Sequence, residues 1–300
     1  MSMTAWSYRK SRVACTLTVL VVTGMVTARE QDRFKVPVNV VPIYATVTDE
    51  GGALVTNLRL EDFEVLDEGK HQQVNLFKSD VQPLTVAVLL DTSPSLFETT
   101  ARMQTLVGAF VRSLLPDDRA AVGTFSHVVT LNRQLSNDAE TLLRRLGDDA
   151  PFPAGTALWD AIDVGRATVT SEGGRRVVLV LTDAVDNSSA SDIPDIRTRL
   201  EREGVMVYGV GVRGRNGLQA RDVTGIARAT GGWYFALGPN DDPMRAGQKI
   251  AEELHRQYVL GFAPRVLDGK MHRIDVRVKR SGVTVRARRN YWASDNGPVR

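Results

Sequence analysis

The sequence predicts an α/β fold with a doubly wound, mainly parallel sheet and a small flanking β-module built from both ends of the chain. From Pro83 to Arg256, continuous apolar runs such as Leu84–Leu90 alternate with amphipathic helical stretches. This pattern is typical of strands that are covered by helices on both faces of a sheet. From Phe34 to Phe77 and from Tyr258 to Ala287, apolar residues instead alternate with polar ones, which indicates strands with one solvated face.

The predicted elements follow from these patterns in order. In the first flank we expect strands at 36–40, 43–47 and 62–66, separated by the turn sequence Asp49-Glu50-Gly51-Gly52. Amphipathic stretches predict helices at about 97–115, 138–146, 156–170, 193–203, 218–229 and 243–256. Apolar runs predict strands at 84–90, 120–125, 128–131, 177–181, 205–212 and 233–235. In the last flank we expect strands at 258–262, 274–278 and 283–287, the last two joined by a Ser281-Gly282 turn.

The composition is that of an ordinary folded protein. Of its 300 residues, 43% are apolar and 24% are charged, which excludes a disordered chain and a collagen. The net charge of +3 arises from Arg9, Lys10 and Arg12, the only charged side chains before Arg29. Beyond them, 35 basic residues balance 35 acidic ones. The charge therefore predicts no nucleic-acid partner.

The first 28 residues are predicted to be a secretory signal. An uncharged run, Val13–Ala28, follows the basic stretch and ends in small residues, which predicts cleavage after Ala28. The alternative is a membrane anchor, but these sixteen residues are fewer than the about 20 that span a bilayer, so we expect no transmembrane span in the mature chain. The single cysteine, Cys15, lies in this run, and a mature chain without disulfides suits an exported protein, periplasmic or secreted.

These patterns divide the chain into five parts. Neither β segment can bury its apolar face alone, so we expect the two to pair into one module. The parts are a signal peptide (1–28), an N-terminal β segment (29–82), the sheet domain (83–256), a C-terminal β segment (257–293) and a tail (294–300).

Polar residues follow the buried strands of the predicted sheet. The sequence Asp91-Thr92-Ser93-Pro94-Ser95 follows the first strand, Gly155-Thr156 begins a helix, and Thr182-Asp183 ends a later strand with Asp186 close behind. In an open parallel sheet, ligands bind beyond the carboxyl ends of the strands. We therefore expect these side chains to form a site at that edge.

The candidate ligands are all oxygen atoms. Two carboxylates, Asp91 and Asp183, and three hydroxyls, Ser93, Ser95 and Thr156, suit Mg²⁺ or Mn²⁺ rather than zinc. Hydroxyls are neutral, so if these three bind directly while Asp91 and Asp183 act mainly through waters, the ion keeps most of its positive charge and can bind a carboxylate from another molecule. Each piece alone is better explained as a helix cap, and only the ordered combination favours a metal site.

With these residues, the chain resembles the von Willebrand factor type A domain over roughly Pro83 to Arg256. That family has a Rossmann-like fold, and its metal-ion-dependent adhesion site uses the same elements in this order. The resemblance implies Asp91, Ser93, Ser95, Thr156 and Asp183 as metal ligands, and an Asp or Glu of a protein partner as the further ligand. The flanks, such as Gln257-Tyr258-Val259-Leu260-Gly261-Phe262, are similar to exported bacterial proteins related to this family, known mostly from Acidobacteria. Pro94 and Ala184 stand where the family usually has glycine.

The function that we expect is therefore a non-enzymatic, exported binding module. Enzyme alternatives are a protease or hydrolase using Asp91. An aspartic protease, however, needs two such aspartates in an all-β fold. A phosphoaspartyl hydrolase needs a second Asp where this chain has Ser93. A structural envelope protein with a silent site is the remaining alternative.

Two further patterns are interpreted as structural. The spacing Gly209-x-Gly211-x-x-Gly214 matches a dinucleotide fingerprint, but two of its glycines lie inside a predicted strand. The basic residues of the last hairpin alternate with valines, which predicts a solvated face rather than a nucleic-acid surface. They are Arg277, Lys279, Arg280, Arg286, Arg288 and Arg289.

Overall fold

The structure is a computed structural model and describes residues 40–147, 154–214 and 220–294. The predicted signal, the cleavage position, the strand at 36–40 apart from Val40, and residues 295–300 lie outside this part of the chain. Among the described residues, no helix is both long enough and apolar enough to cross a membrane.

The described residues form three successive groups of elements. The first comprises β1 (Val41–Asp49), β2 (Phe63–Asp67), β3 (Lys70–Gln72) and β4 (Val74–Lys78). The second comprises β5 (Leu84–Asp91), α1 (Thr100–Arg112), β6 (Arg119–Phe125), β7 (Val129–Leu131), α2 (Ala139–Gly147), α3 (Leu158–Val169), β8 (Arg175–Thr182), α4 (Ile193–Glu203), β9 (Val205–Val212), α5 (Arg221–Thr230), β10 (Tyr234–Leu237) and α6 (Pro243–His255). The third comprises β11 (Tyr258–Phe262), β12 (Lys270–Val278), β13 (Val283–Arg286) and β14 (Asn290–Ala293).

The central sheet has the order β10-β9-β8-β5-β6-β7. All its neighbours are parallel except β7, which is antiparallel to β6. Every residue of β5, β8 and β9 is buried, because α1, α2 and α6 cover one face of the sheet and α3, α4 and α5 cover the other. The predicted doubly wound, mainly parallel sheet is confirmed.

The two flanking segments pair into one β-module. One four-stranded sheet has the order β13-β1-β11-β4 and the other β14-β12-β2-β3, so each sheet combines strands from both ends of the chain. The inner faces share an apolar core, in which Phe63 of β2 packs against Tyr258 of β11 with ring centroids 5.0 Å apart. The expected pairing of the flanks is confirmed.

Some predicted details differ from the structure. The helix expected at 97–115 is a 3-10 turn, Pro94–Thr99, followed by α1, because a proline suits the first turn of a helix and the chain tightens there. The short strands β3, β4 and β14 were not predicted, yet β14 pairs with β12 and buries Tyr291.

The basic hairpin is not wholly a solvated face. Arg286 and Arg288 are half-buried because that side of the module packs against the sheet domain. Arg286 donates a 2.7 Å hydrogen bond to Glu253 and lies 4.3 Å from the ring centroid of Trp233.

A buried carboxylate organises the start of the central strands. Asp118, fully buried, accepts hydrogen bonds from the backbone N–H groups of Leu84 (3.0 Å) and Leu115 (2.7 Å) and lies 2.7 Å from Nε2 of His255. Burial alone raises the pKa of Asp118, but the hydrogen bonds from His255, Leu115 and Leu84 outweigh it and lower the pKa overall. This carboxylate therefore links β5, β6 and α6.

We expect Asp118→Asn to lower the free energy of unfolding by about 3 kcal/mol at neutral pH. The NH2 group of the asparagine would replace a carboxylate oxygen that accepts hydrogen bonds, so two donors would face each other. The pKa of Asp118 is lower in the folded chain than in the unfolded chain. The ionised carboxylate therefore stabilises the fold fully at pH values above its unfolded pKa, and this stabilisation is lost as the pH falls through its folded pKa. Urea denaturation of both proteins should thus show a difference that shrinks in acid. Asp117→Asn, at the exposed neighbouring position, is the control and should change little. Equal losses in the two variants would contradict this role.

Candidate metal site

The candidate site lies where two adjacent parallel strands end. In the register of β5 and β8, Leu90 lies beside Leu181, so the next residues, Asp91 and Thr182, meet at the carboxyl edge. The hydroxyl of Thr182 donates a 2.7 Å hydrogen bond to Oδ2 of Asp91, and the backbone N–H of Ser93 donates to Oδ1 at 2.9 Å. Strands β6 and β7 lie on one side of β5, and β8, β9 and β10 lie on the other. The boundary between β5 and β8 is therefore a topological switch point, which is where open α/β sheets bind ligands.

A chain of hydrogen bonds joins four of the five predicted ligands. Oγ of Ser93 lies 3.2 Å from Oγ of Ser95, which donates a 2.8 Å hydrogen bond to Oδ2 of Asp183. Asp91 and Asp183 are both 0% exposed. The structure thus brings together Asp91, Ser93, Ser95 and Asp183.

Backbone hydrogen bonds to the loop after β8 hold Thr156 near the same edge of the sheet. Its N–H donates to Oδ1 of Asn187 at 2.8 Å, and its carbonyl oxygen accepts from the N–H groups of Asn187 (3.0 Å) and Ser188 (3.1 Å). Gly155 before it has φ +98°, and a Cβ there would lie 2.5 Å from Oγ of Ser188, so the position requires glycine. Within residues 40–147, 154–214 and 220–294, no side chain hydrogen-bonds the Thr156 hydroxyl, which leaves that oxygen available to a ligand.

The electrostatics of the site favour a cation. Burial raises the pKa of Asp91 to about 6, hydrogen bonds from Thr182 and Ser93 oppose the shift, and the charge of Asp183 adds to it. No Lys or Arg among the described residues forms an ion pair with either carboxylate. Buried carboxylates are normally paired or bound to a metal. Two carboxylates interleaved with hydroxyls therefore fit Mg²⁺ or Mn²⁺, although the described residues contain no cluster of three or more His, Cys, Asp or Glu side chains suited to a metal.

The two departures from the family pattern have different structural consequences. Pro94 is the first residue of the 3-10 turn, and Ser93 before it is extended (φ −65°, ψ 153°), which is the conformation that precedes proline. Proline therefore fits the loop without a positive φ. Ala184, in contrast, has φ +62°, a left-handed conformation that glycine adopts at lower cost.

Several residues that organise the site were not predicted to do so. Thr182 orients Asp91, and the only sequence signal was its position at the end of a buried strand. Gly214 approaches Asp183 so closely that a Cβ there would lie 2.2 Å from its Oδ2. Asp186, noted beside the site, instead accepts a 2.8 Å hydrogen bond from the N–H of Leu158 at the start of α3.

Two glycines of the dinucleotide-like spacing, Gly209 and Gly214, have close neighbours. Gly209 lies within β9, and a Cβ there would come within 2.6 Å of Tyr234 and 2.9 Å of Val223. Because it lies inside a strand rather than in a turn before a helix, it cannot form a phosphate-binding loop.

Comparison with known proteins identifies similar sequences and folds. The sequence model of the von Willebrand factor type A domain matches residues 85–259, more than half of the chain. A solved von Willebrand factor type A protein from Catenulispora acidiphila is 10% identical, with 88% of this chain and 76% of that chain covered and a TM-score of 0.52. Proximal thread matrix protein 1 from the mussel byssus is 21% identical, with 61% and 49% covered and a TM-score of 0.50. The conserved hypothetical protein BatB from Bacteroides thetaiotaomicron is 19% identical, with 57% and 98% covered and a TM-score of 0.47. A search of curated proteins found no match.

We expect Ala184→Gly to raise the free energy of unfolding by about 1 kcal/mol, because it removes the strain of a left-handed alanine beside Asp183. Ala190→Gly is the matched control, since Ala190 is exposed in the same loop and its φ is not positive. That variant should be neutral or slightly destabilising. Chemical denaturation of the three proteins measures both effects, and a stabilisation of equal size in the two variants would show that the strain at Ala184 is not the cause.

Proposed function

Because this chain belongs to the von Willebrand factor type A family, whose domains are typically non-enzymatic modules that often mediate protein–protein interactions, we propose that it is an exported binding module without enzymatic activity. It uses a divalent cation, Mg²⁺ or Mn²⁺, to bind an Asp or Glu of a partner protein. The main support is the pair of buried carboxylates, Asp91 and Asp183. They form no ion pair with a cationic side chain among the described residues, and they lie among hydroxyl groups.

The residues that would hold the ion are Asp91, Ser93, Ser95, Thr156 and Asp183. When bound, the ion supplies a positive centre that accepts one further oxygen ligand. Thr182 and the N–H of Ser93 hold the Asp91 carboxylate in one orientation, and Ser95 does the same for Asp183. If the three neutral hydroxyls bind the ion directly while Asp91 and Asp183 act mainly through bound waters, most of the ionic charge remains available to an external carboxylate.

Export is proposed from the N-terminal sequence. The basic stretch, the uncharged run and the small residues ending at Ala28 form a signal that a signal peptidase cleaves. A mature chain without cysteine is compatible with a periplasmic or secreted location, since it needs no disulfide chemistry.

We expect calorimetric titration of the mature protein with Mg²⁺ or Mn²⁺ to show one binding site. Asp183→Asn and Ser93→Ala should each weaken the affinity about tenfold or more, because each removes a ligand or its charge. Thr92→Ala is the matched control, since this hydroxyl lies in the same loop but donates to the carbonyl oxygen of Phe125. Binding heat that survives Asp91→Ala combined with Ser93→Ala would place the metal elsewhere. No heat with the wild type would mean a silent site.

For the partner, we expect capture from the exported fraction to depend on the ion. Chelation with EDTA should weaken binding strongly, and Thr156→Ala should weaken it while the circular dichroism spectrum stays unchanged. Replacing one acidic residue of the partner by its amide should have the same effect, because the carboxylate is the ligand that the ion binds. An affinity that is undiminished in EDTA would place the interface elsewhere on the molecule.

A further inference from the structure

A cavity lies at the opposite edge of the central sheet from the candidate metal site. Its volume is about 330 Å³, within the range typical of small-molecule sites. Gly174 and Arg176, at the start of β8, and Val205, at the start of β9, line its floor. Strands β1 and β14 of the β-module form the facing wall, so the cavity exists only because the two parts of the chain pack together.

Apolar side chains from both parts of the chain line the cavity. They are Val41, Pro42, Leu200, Met206, Leu267 and the indole ring of Trp292. An apolar enclosure of this kind favours a ligand with a hydrocarbon or aromatic body, because the ligand loses its contact with water on binding.

The guanidinium groups of Arg176, Arg202 and Arg288 also line the cavity. Two of them donate hydrogen bonds to backbone carbonyl oxygens, and the third lies against an aromatic ring. Arg288 donates from Nε to the carbonyl oxygen of Asn290 (2.7 Å) and from Nη2 to that of Glu201 (2.8 Å). Arg176 donates to the carbonyl oxygen of Glu203 at 3.3 Å. Arg202 lies 4.8 Å from the ring centroid of Trp292.

The acidic side chains of the cavity are paired with other groups. Glu201 forms a 3.1 Å ion pair with Arg197, and Glu203 a 2.5 Å ion pair with Arg166, and neither of these arginines lines the cavity. Among the described residues, no carboxylate forms an ion pair with Arg176, Arg202 or Arg288. The cavity therefore has an excess of positive charge in an apolar setting. Burial lowers the pKa of Arg288 to about 10, and the negative charge of Glu201 opposes this shift.

We propose that this cavity binds a small amphipathic anion, a carboxylate attached to an apolar body. The apolar wall would cover the body of the ligand, and the guanidinium groups would bind its carboxylate, for which the fork of an arginine is well shaped. This site is independent of the proposed metal-dependent function, because it lies at the amino ends of the strands.

Calorimetric titration of the full mature chain tests the proposal, with octanoate as the probe and 1-octanol as its neutral counterpart. EDTA is present throughout, so that the probe carboxylate cannot bind an ion at the metal site. We expect one saturable site for octanoate and at least about tenfold weaker binding of octanol, because octanol lacks the charge-assisted hydrogen bonds. Equal affinities, or no octanoate binding, would overturn the proposal.

Two pairs of variants locate the site. Leu267→Trp fills the cavity and should reduce octanoate binding about tenfold, whereas Val266→Trp, at the exposed position next to it, should not. Arg202→Gln should weaken octanoate about tenfold and leave octanol unchanged. Its control is Arg199→Gln on the same helix, where the guanidinium pairs with Asp163 outside the cavity. Octanoate affinities that are equal in Arg202→Gln and Arg199→Gln, or in the two tryptophan variants, would place the probe elsewhere.

Discussion

The parallel register between β5 and β8 is the constraint on which the rest of the site depends. It places Asp91 and Thr182, which are 91 residues apart in sequence, at the same end of two fully buried neighbouring strands. A buried carboxylate needs hydrogen-bond donors, and Thr182 and the N–H of Ser93 supply them. These bonds hold one side of the loop after β5, while Ser95 holds the other side through Asp183. A shift of one residue in this register would move Thr182 away from Asp91 and leave the buried carboxylate with the N–H of Ser93 as its remaining donor of the two.

The charged groups at the two edges of the sheet differ. The carboxyl ends carry Asp91 and Asp183, which suit a cation, whereas at the amino edge β8 begins with Arg175 and Arg176, and the carboxylate there, Asp118, is hydrogen-bonded to His255. Arg175 is almost wholly buried and donates to the carbonyl oxygens of Gln82 and Leu254 and to the side chain of Gln257. Its guanidinium group also lies 5.6 Å from the ring centroid of Tyr44 in β1. The sheet domain and the β-module therefore meet around desolvated arginines, and the cavity proposed to bind anions is part of the same junction.

In the loops at the carboxyl edge the backbone approaches its neighbours closely, and one residue that is not glycine, Ala184, has a positive φ. Gly155 and Gly214 stand where a Cβ would collide with Ser188 or Asp183, so the backbone approaches the site closely at both positions. Ala184 keeps a left-handed conformation in spite of its Cβ. Such strain persists when surrounding contacts hold the backbone, and here the N–H of Ala184 donates a 2.9 Å hydrogen bond to the hydroxyl of Thr182. The same hydroxyl donates to Asp91, so the strained residue is tied directly to the candidate ligand.

The sequence by itself determined the order of strands and helices in the sheet domain, the doubly wound sheet, the pairing of the two flanks and the residue types at the strand ends. It could do so because apolar residues recur at the spacing with which each helix or strand buries one face. The bounds of α4 and β9, for example, were predicted to the residue. The tertiary structure alone decided that Thr182 reaches Asp91 and that Arg286 and Arg288 turn toward the sheet domain. It also decided that a cavity forms between the two parts of the chain. These features join residues that are distant in sequence, and local periodicity does not encode which strands become neighbours or in what register they pair.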